Sequence, residues 1–132
     1  MRYKKKDLLI DGFKVKKLAQ KYSTPLYCYS YNKIKENIEN FKKKFGLINP
    51  LICFAVKANS NKVLLSEIGK LGLGADVVSM GELMIALKSG INANKIVFSG
   101  VGKTEAEIRL ALSKNIMCFN IESRDELRTI NA

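Results

Sequence analysis

One lysine, Lys57, stands between the apolar run Leu51-Ile-Cys-Phe-Ala-Val56 and the polar cluster Asn59-Ser60-Asn61. A lysine amine can form and release a Schiff base with a carbonyl compound when its surroundings let it shed a proton. Six uncharged residues without alternation predict a strand buried on both faces, which the asparagine cluster ends. Lys57 would then sit at the carboxyl end of a strand, where open α/β sheets and βα barrels bind their ligands. Asp76 ends the next apolar run, Gly72-Leu-Gly-Ala-Asp-Val-Val-Ser79, and adjacent parallel strands bring such ends together. A carboxylate there favours the ammonium, whereas desolvation of a partly buried lysine favours the free amine. That tension suits a Schiff-base lysine, and an ion pair steadying two strand ends is the other reading of the same residues. Composition alone does not single out Lys57, because lysine dominates the 23 basic residues.

The elements that must hold these residues follow from patterning. From Leu51 onward, apolar strands at 51–56, 73–78, 95–99 and 116–121 alternate with helical stretches near 62–71, 80–89, 104–114 and 124–130, a repeat of about 22 residues. Regular βα alternation predicts a parallel sheet with right-handed crossovers, doubly wound or closed into a barrel. Ser79-Met-Gly-Glu82, Thr104-Glu-Ala-Glu107 and Ser123-Arg-Asp-Glu126 all fit the capping box, in which the hydroxyl caps a first-turn amide and the glutamate returns to the cap residue's own amide. Ahead of this repeat, residues 8–11 predict a short strand leading into Gly12, Val15–Tyr22 an amphipathic helix, and Leu26-Tyr-Cys-Tyr-Ser30 a strand. A second helix from Tyr31 to Phe45 ends at Gly46.

Composition removes several function classes. With 132 residues, 47% hydrophobic and 27% charged, the chain can form a soluble domain with a sizeable core. No uncharged stretch approaches the roughly 18 residues that span a bilayer, and Met1–Lys6 leads into Asp7 rather than a leader's apolar segment. A cytoplasmic protein is expected. Of the net charge of +11, residues 1–50 carry +9 and residues 51–132 only +2. The excess is local and nearly all lysine, without the arginine forks and interleaved aromatics of nucleic-acid readers, so neither a nucleic acid nor a membrane is expected as partner. Cys28, Cys53 and Cys118 lie in apolar runs at no metal-ligand spacing and are expected to be buried thiols in a reducing compartment. The absence of histidine excludes Ser-His and Cys-His pairs and histidine-ligated metals within these residues. Val97-Phe-Ser-Gly-Val-Gly-Lys-Thr104 approaches a phosphate-binding loop, but Val97 occupies the first glycine position of G-x-x-x-x-G-K-[ST]. Gly100 and Gly102 instead turn strand into helix, with Thr104 as the cap.

Four stretches in order, Phe54-Ala-Val-Lys-Ala-Asn-Ser-Asn61, Gly74-Ala-Asp-Val-Val-Ser-Met-Gly-Glu-Leu83, Val97–Thr104 and Phe119-Asn-Ile-Glu-Ser-Arg-Asp-Glu-Leu127, resemble the amino-terminal part of the diaminopimelate decarboxylases. These are pyridoxal 5'-phosphate enzymes with an alanine-racemase-like barrel, and the lead-in Asp11-Gly12 and Thr24-Pro-Leu-Tyr27 takes part in the resemblance. It implies that Lys57 holds the cofactor as a Schiff base and that Asp76 lies near it. It also implies decarboxylation of meso-2,6-diaminopimelate, a small amino-acid substrate, to L-lysine by a homodimer.

The fold implied is α/β, a partial (βα)8 TIM-type barrel of about four of eight units. Residues 1–30 would form a lead-in joining a carboxyl-terminal β domain, and residues 31–132 the amino-terminal half of the barrel. The family's stacking histidine, glycine-rich phosphate loop, acidic partner of the pyridine nitrogen and substrate-binding arginines have no counterpart here. The 132 residues by themselves are therefore expected to be inactive and prone to aggregate. An ornithine- or arginine-type decarboxylase and a non-catalytic cofactor-binding barrel are the alternatives.

Overall fold

Asp11 and Gly12 both adopt positive φ, 47° and 86°, the pair of left-handed residues that a two-residue hairpin loop requires. They join β2 (Asp7–Ile10) to β3 (Phe13–Lys14), and β2 pairs along its other edge with β1 (Arg2–Lys4), making a three-stranded antiparallel sheet. The computed structural model describes residues 1–132, which divide into two compact units, Met1–Pro50 and Leu51–Ala132. In the first unit, α1 (Val15–Tyr22) follows β3 directly and α2 (Tyr31–Lys43) starts at Ser30. The Ser30 hydroxyl accepts the Lys33 amide at 3.0 Å as the N-cap and donates to Asp11 Oδ1 at 2.7 Å, while Asp11 Oδ2 accepts the Asn32 amide at 3.4 Å. The hairpin tip is thereby tied to the first turn of α2. The Ser30 hydrogen bond, with help from Asn32, holds the Asp11 carboxyl below its usual range.

The strand expected over residues 8–11 is β2, but Leu26–Ser30 forms none. Tyr27 and Tyr29 stand 86% and 62% exposed. Aromatic side chains favour a pleated, half-buried surface, yet a segment becomes a strand only where another strand takes its amides. β1 lacks any apolar alternation and is held instead by its register with β2, Tyr3 opposite Leu8.

The second unit is a parallel sheet in the consecutive order β4 (Cys53–Ala55), β5 (Gly74–Val77), β6 (Ile96–Phe98) and β7 (Cys118–Phe119). Between and after the strands run α3 (Lys62–Lys70), α4 (Met80–Lys88), α5 (Glu105–Ser113) and α6 (Arg124–Asn131). Consecutive order with right-handed crossovers keeps the connecting helices on one face. On that face Ala75, Val77, Ile96 and Phe98 are buried with Leu65 of α3, Leu83 and Ala86 of α4 and Ala111 of α5. The alternate residues Ala55, Asp76, Val97 and Cys118 stand in register across the four strands, and none of them is buried.

One-sided cover overturns two expectations. Residues 51–56 are not buried on both faces, since only 53–55 are strand and only Val56 is buried. The cysteines are not core thiols either, because Cys28 and Cys118 are exposed and Cys53 is intermediate, all three unpaired. Partial burial, aided by the charges of Asp76 and Cys118, still pushes the Cys53 thiol up.

Ser79, Thr104 and Ser123 cap α4, α5 and α6 as the spacing predicts, accepting the amides of Glu82, Glu107 and Glu126 at 3.2, 3.3 and 3.1 Å. The returning arm is uniform in sequence but not in structure. Glu107 alone returns to its own cap amide, Thr104 N at 3.0 Å, completing the box. Glu82 takes the amide of Val78 at 2.9 Å, and Glu126 turns to Lys103. The other oxygen of Glu107 accepts the Met80 amide at 2.8 Å, so one carboxylate serves the first turns of both α4 and α5, where a negative charge is favoured.

Two outcomes follow for the stability of this unit. A Cβ on Gly74 would run into the Lys95 carbonyl oxygen and stand 2.9 Å from Cys53 Sγ, and a backbone carbonyl directly before the first residue of β6 cannot step aside without moving that strand. Gly74→Ala is expected to destabilise by about 1–3 kcal/mol, read as a lower urea midpoint; an unchanged midpoint contradicts it. The Thr104 and Met80 amides hold the Glu107 carboxyl below its ordinary value of 4.5. Its contribution is therefore present above that value and is lost as pH falls through the lower folded one. Glu107→Gln should lower stability by about 1 kcal/mol near neutrality and match the wild type in acid, whereas a pH-independent difference would contradict the assignment.

Candidate functional site

β4 ends at Ala55 and winds at once into a 3-10 turn, Val56–Ala58, with Lys57 at its centre. Val56, fully buried, anchors the turn in the core. On the far side the Asn59 amide bonds the Val56 carbonyl at 3.0 Å, and Asn59 Oδ1 accepts the Asn61 amide at 3.0 Å. Asn61 Oδ1 in turn caps α3 through the amides of Val63 and Leu64 at 2.9 and 3.3 Å. The polar cluster after Lys57 is thus a rigid strand-to-helix splice. Lys57 rides exposed upon it, its amine engaged by none of the chain's ion pairs.

Asp76 lies on β5 opposite Ala55, two residues before Lys57. The two side chains form no ion pair, so the pairing weighed from the sequence is not made. The 3-10 turn carries Lys57 out of the sheet plane into water, and it is not partly buried. Asp76 turns instead to the opposite neighbour, since its Oδ1 accepts the Ser99 hydroxyl at 2.5 Å. Ser99 Oγ also accepts from Asn120 Nδ2 at 2.9 Å. Beneath these side chains the backbone ladder runs one residue past each strand, Ser99 N to Val77 O at 2.8 Å and Asn120 N to Phe98 O at 2.9 Å. A polar line therefore crosses the ends of β5, β6 and β7 in the order Asp76, Ser99, Asn120. A carboxylate fixed by a hydroxyl keeps a set orientation, as a group that must meet a ligand at a defined angle requires.

Lys103 is the residue that sequence reasoning missed. Its side chain is 0% exposed, and its ammonium donates to Gly100 O at 2.7 Å, Asn120 O at 2.8 Å and Glu126 Oε1 at 2.7 Å. All three N–H donors are used, and the ammonium stands 6.0 Å from the centre of the Phe98 ring. This explains why Glu126 abandons its own cap, because a buried ammonium without a counter-ion costs several kcal/mol. It also accounts for the Gly100-Val-Gly-Lys-Thr104 stretch: the lysine that would hold a phosphate is consumed inside the protein, and Gly100, at φ 97°, turns strand into helix as expected. Two of the lysine's acceptors are backbone carbonyls, which leave no mark in a sequence. The Ser99 and Asn120 positions did carry a signal, as the polar residues closing successive apolar runs 21 residues apart.

No helix of the chain is long and apolar enough to cross a membrane. Residues 31–132 match the family described as the pyridoxal-binding domain of pyridoxal-dependent decarboxylases. Among curated relatives, diaminopimelate decarboxylase of Aquifex aeolicus is 50% identical over 131 residues, 99% of this chain and 31% of that protein. The Helicobacter pylori (strain J99) enzyme is 52% identical over 118 residues, 89% of this chain and 29% of that protein. The chain thus spans about a third of the length of these relatives. Among solved structures, diaminopimelate decarboxylase from M. jannaschii in complex with L-lysine superposes with a TM-score of 0.92 at 40% identity, covering 98% of this chain and 31% of that one. The H. pylori enzyme complexed with L-lysine does so with a TM-score of 0.82 at 50% identity, covering 87% and 29%. A lysine/ornithine decarboxylase from Vibrio vulnificus, 21% identical with a TM-score of 0.78 over 87% of this chain and 31% of that one, shares the fold. On the match of residues 31–132, the chain belongs to the pyridoxal-binding domain family of the pyridoxal-dependent decarboxylases.

Proposed function

We propose that this chain supplies the cofactor-holding lysine of a pyridoxal 5'-phosphate-dependent decarboxylase that converts meso-2,6-diaminopimelate to L-lysine and carbon dioxide. The observation that carries the reading is Lys57 itself, an unengaged amine held on a rigid turn at the carboxyl edge of a parallel sheet. Relatives at 45–52% identity bear the diaminopimelate name, whereas the lysine/ornithine enzyme stands at 21% and shares only the fold. That contrast favours diaminopimelate over an ornithine- or arginine-type substrate.

The donor set fits the cofactor. An aldehyde needs an accessible amine, which Lys57 offers, and a polar heteroaromatic ring needs oriented polar neighbours, which the line from Asp76 to Asn120 offers. Lys57 Nζ would hold the group covalently, and Asp76, fixed by Ser99, would orient it. When bound, the cofactor supplies the electron sink for the pair left behind as carbon dioxide departs. The amine of Lys57, at the same edge, would also be placed to carry a proton there.

Around this site we read residues 31–132 as the first half of a (βα)8 barrel. Consecutive strand order, helices on one face and an uncovered opposite face support it, since a doubly wound sheet reverses its order and covers both faces. Residues 1–30 are read as a lead-in to a β domain lying further along a longer chain, and the active form as a cytoplasmic homodimer.

Borohydride reduction of the full-length holoprotein followed by peptide mapping should place the cofactor on the peptide containing Lys57; a labelled peptide without Lys57 refutes the assignment. Lys57→Ala should lower turnover by on the order of a thousandfold while the far-ultraviolet circular dichroism stays unchanged. In a panel of diaminopimelate, ornithine, arginine and lysine, carbon dioxide release should be greatest with diaminopimelate, and a preference for ornithine or arginine would move the protein to the related class.

A further inference from the structure

We propose that Lys103 is a positioning residue for the cofactor site, acting through Asn120 and Ser99 on the carboxylate of Asp76. The proposal rests on the roles given above to Lys57 and Asp76 and deepens them. Lys103 grips the carbonyl of Gly100, the residue directly after Ser99, and the carbonyl of Asn120 itself. Asn120 is therefore held on both sides of its α-carbon, by Phe98 O at its amide and by Lys103 Nζ at its carbonyl. Its side chain is left a narrow range of directions, and it meets Ser99 Oγ. Ser99, held below by Val77 O and followed by the gripped Gly100, passes its proton's hydrogen bond to Asp76 Oδ1. Asp76 Oδ1 is thereby taken, and Oδ2 is left for whatever faces the sheet edge.

A purely structural role explains this arrangement poorly. Side chains of similar volume, well packed and apolar, fill such a space as stably as a buried ion pair, or more so. What an apolar pair cannot do is draw two strand-end carbonyls onto one point. The ammonium does that, with three donors directed at Gly100, Asn120 and Glu126, and Glu126 supplies its counter-ion.

The test uses the full-length holoprotein. Lys103→Met with Glu126→Leu removes both charges and keeps the volume. This double variant should fold with an unchanged circular dichroism spectrum, yet bind pyridoxal 5'-phosphate roughly tenfold more weakly. The pH midpoint of its visible cofactor band should move by about one unit. Ser99→Ala, which cuts the line without touching the buried pair, should shift the midpoint in the same direction. In an Asp76→Asn background the double variant should add nothing, because both changes act through one carboxylate. A wild-type titration and affinity in the double variant, or an effect undiminished beside Asp76→Asn, overturns the proposal. If the double variant fails to fold, Ser99→Ala and Glu126→Gln carry the test, and a wild-type titration in both overturns it. A wild-type protein that carries no cofactor on Lys57 refutes the functional reading and this inference with it. Unaltered variants of a protein that does carry it refute this inference alone.

Discussion

Parallel register is the constraint on which the second unit depends. Once Ala55 pairs with Asp76, Asp76 with Val97 and Val97 with Cys118, the direction of every side chain in the sheet is fixed, since alternate residues point to opposite faces and a slip of one would exchange them. Ala75, Val77, Ile96 and Phe98 then have to lie under the helices, and Asp76 has to lie on the other face. The same ladder, extended to Ser99 and Asn120, sets three polar side chains side by side without a loop having to search for its position. Precision at the strand ends is inherited from backbone hydrogen bonds deep in the sheet.

Charge is handled differently at the two ends of the helix starts. Glu107 spends both oxygens on amides of α4 and α5, so its charge is met by peptide dipoles near water and stays a local matter of capping. Glu126 begins with the same spacing from its cap but faces the buried ammonium of Lys103. A neutral amide is a weaker partner than an ammonium that has lost its water, and the carboxylate goes where the larger penalty would otherwise fall. The same spacing thus ends differently at Glu107 and Glu126, and for Glu126 the chooser is a lysine 23 residues away.

That contrast marks what was legible in the residues and what was not. Helix starts at Ser79, Thr104 and Ser123 could be read because a cap and its amide are three residues apart in the chain. The βα alternation could be read because apolar periodicity is local too. Burial could not, because it depends on which faces other elements reach: of the uncharged run from Leu51 to Val56 only Phe54 and Val56 join the core, and the thiols of Cys53 and Cys118 looked like core and lie on a face the helices do not cover. Leu26–Ser30 has strand-like residues and no strand beside it. Lys57 and Asp76 were visible as polar residues ending apolar runs, whereas their separation was not, since it arises from a 3-10 turn and from Ser99 offering Asp76 a closer partner. The role of Lys103 was hidden for a further reason, that carbonyl acceptors belong to every residue alike.

The placement of Asp76 has a consequence of its own. It stands one layer below Ser99 and Asn120, among Ala55, Val97 and Cys118, on the face the helices do not cover. A sheet selected for stability alone would carry a branched apolar residue at that register, as β-propensity and cross-strand packing both favour. Ser99 holds one oxygen by a short bond and so fixes the direction of the other. Stability gains little from a carboxylate oriented in this way, so the residue is better explained by a ligand that meets it. In the proposed site that ligand is the cofactor held by Lys57, two residues beyond Asp76's partner on the neighbouring strand.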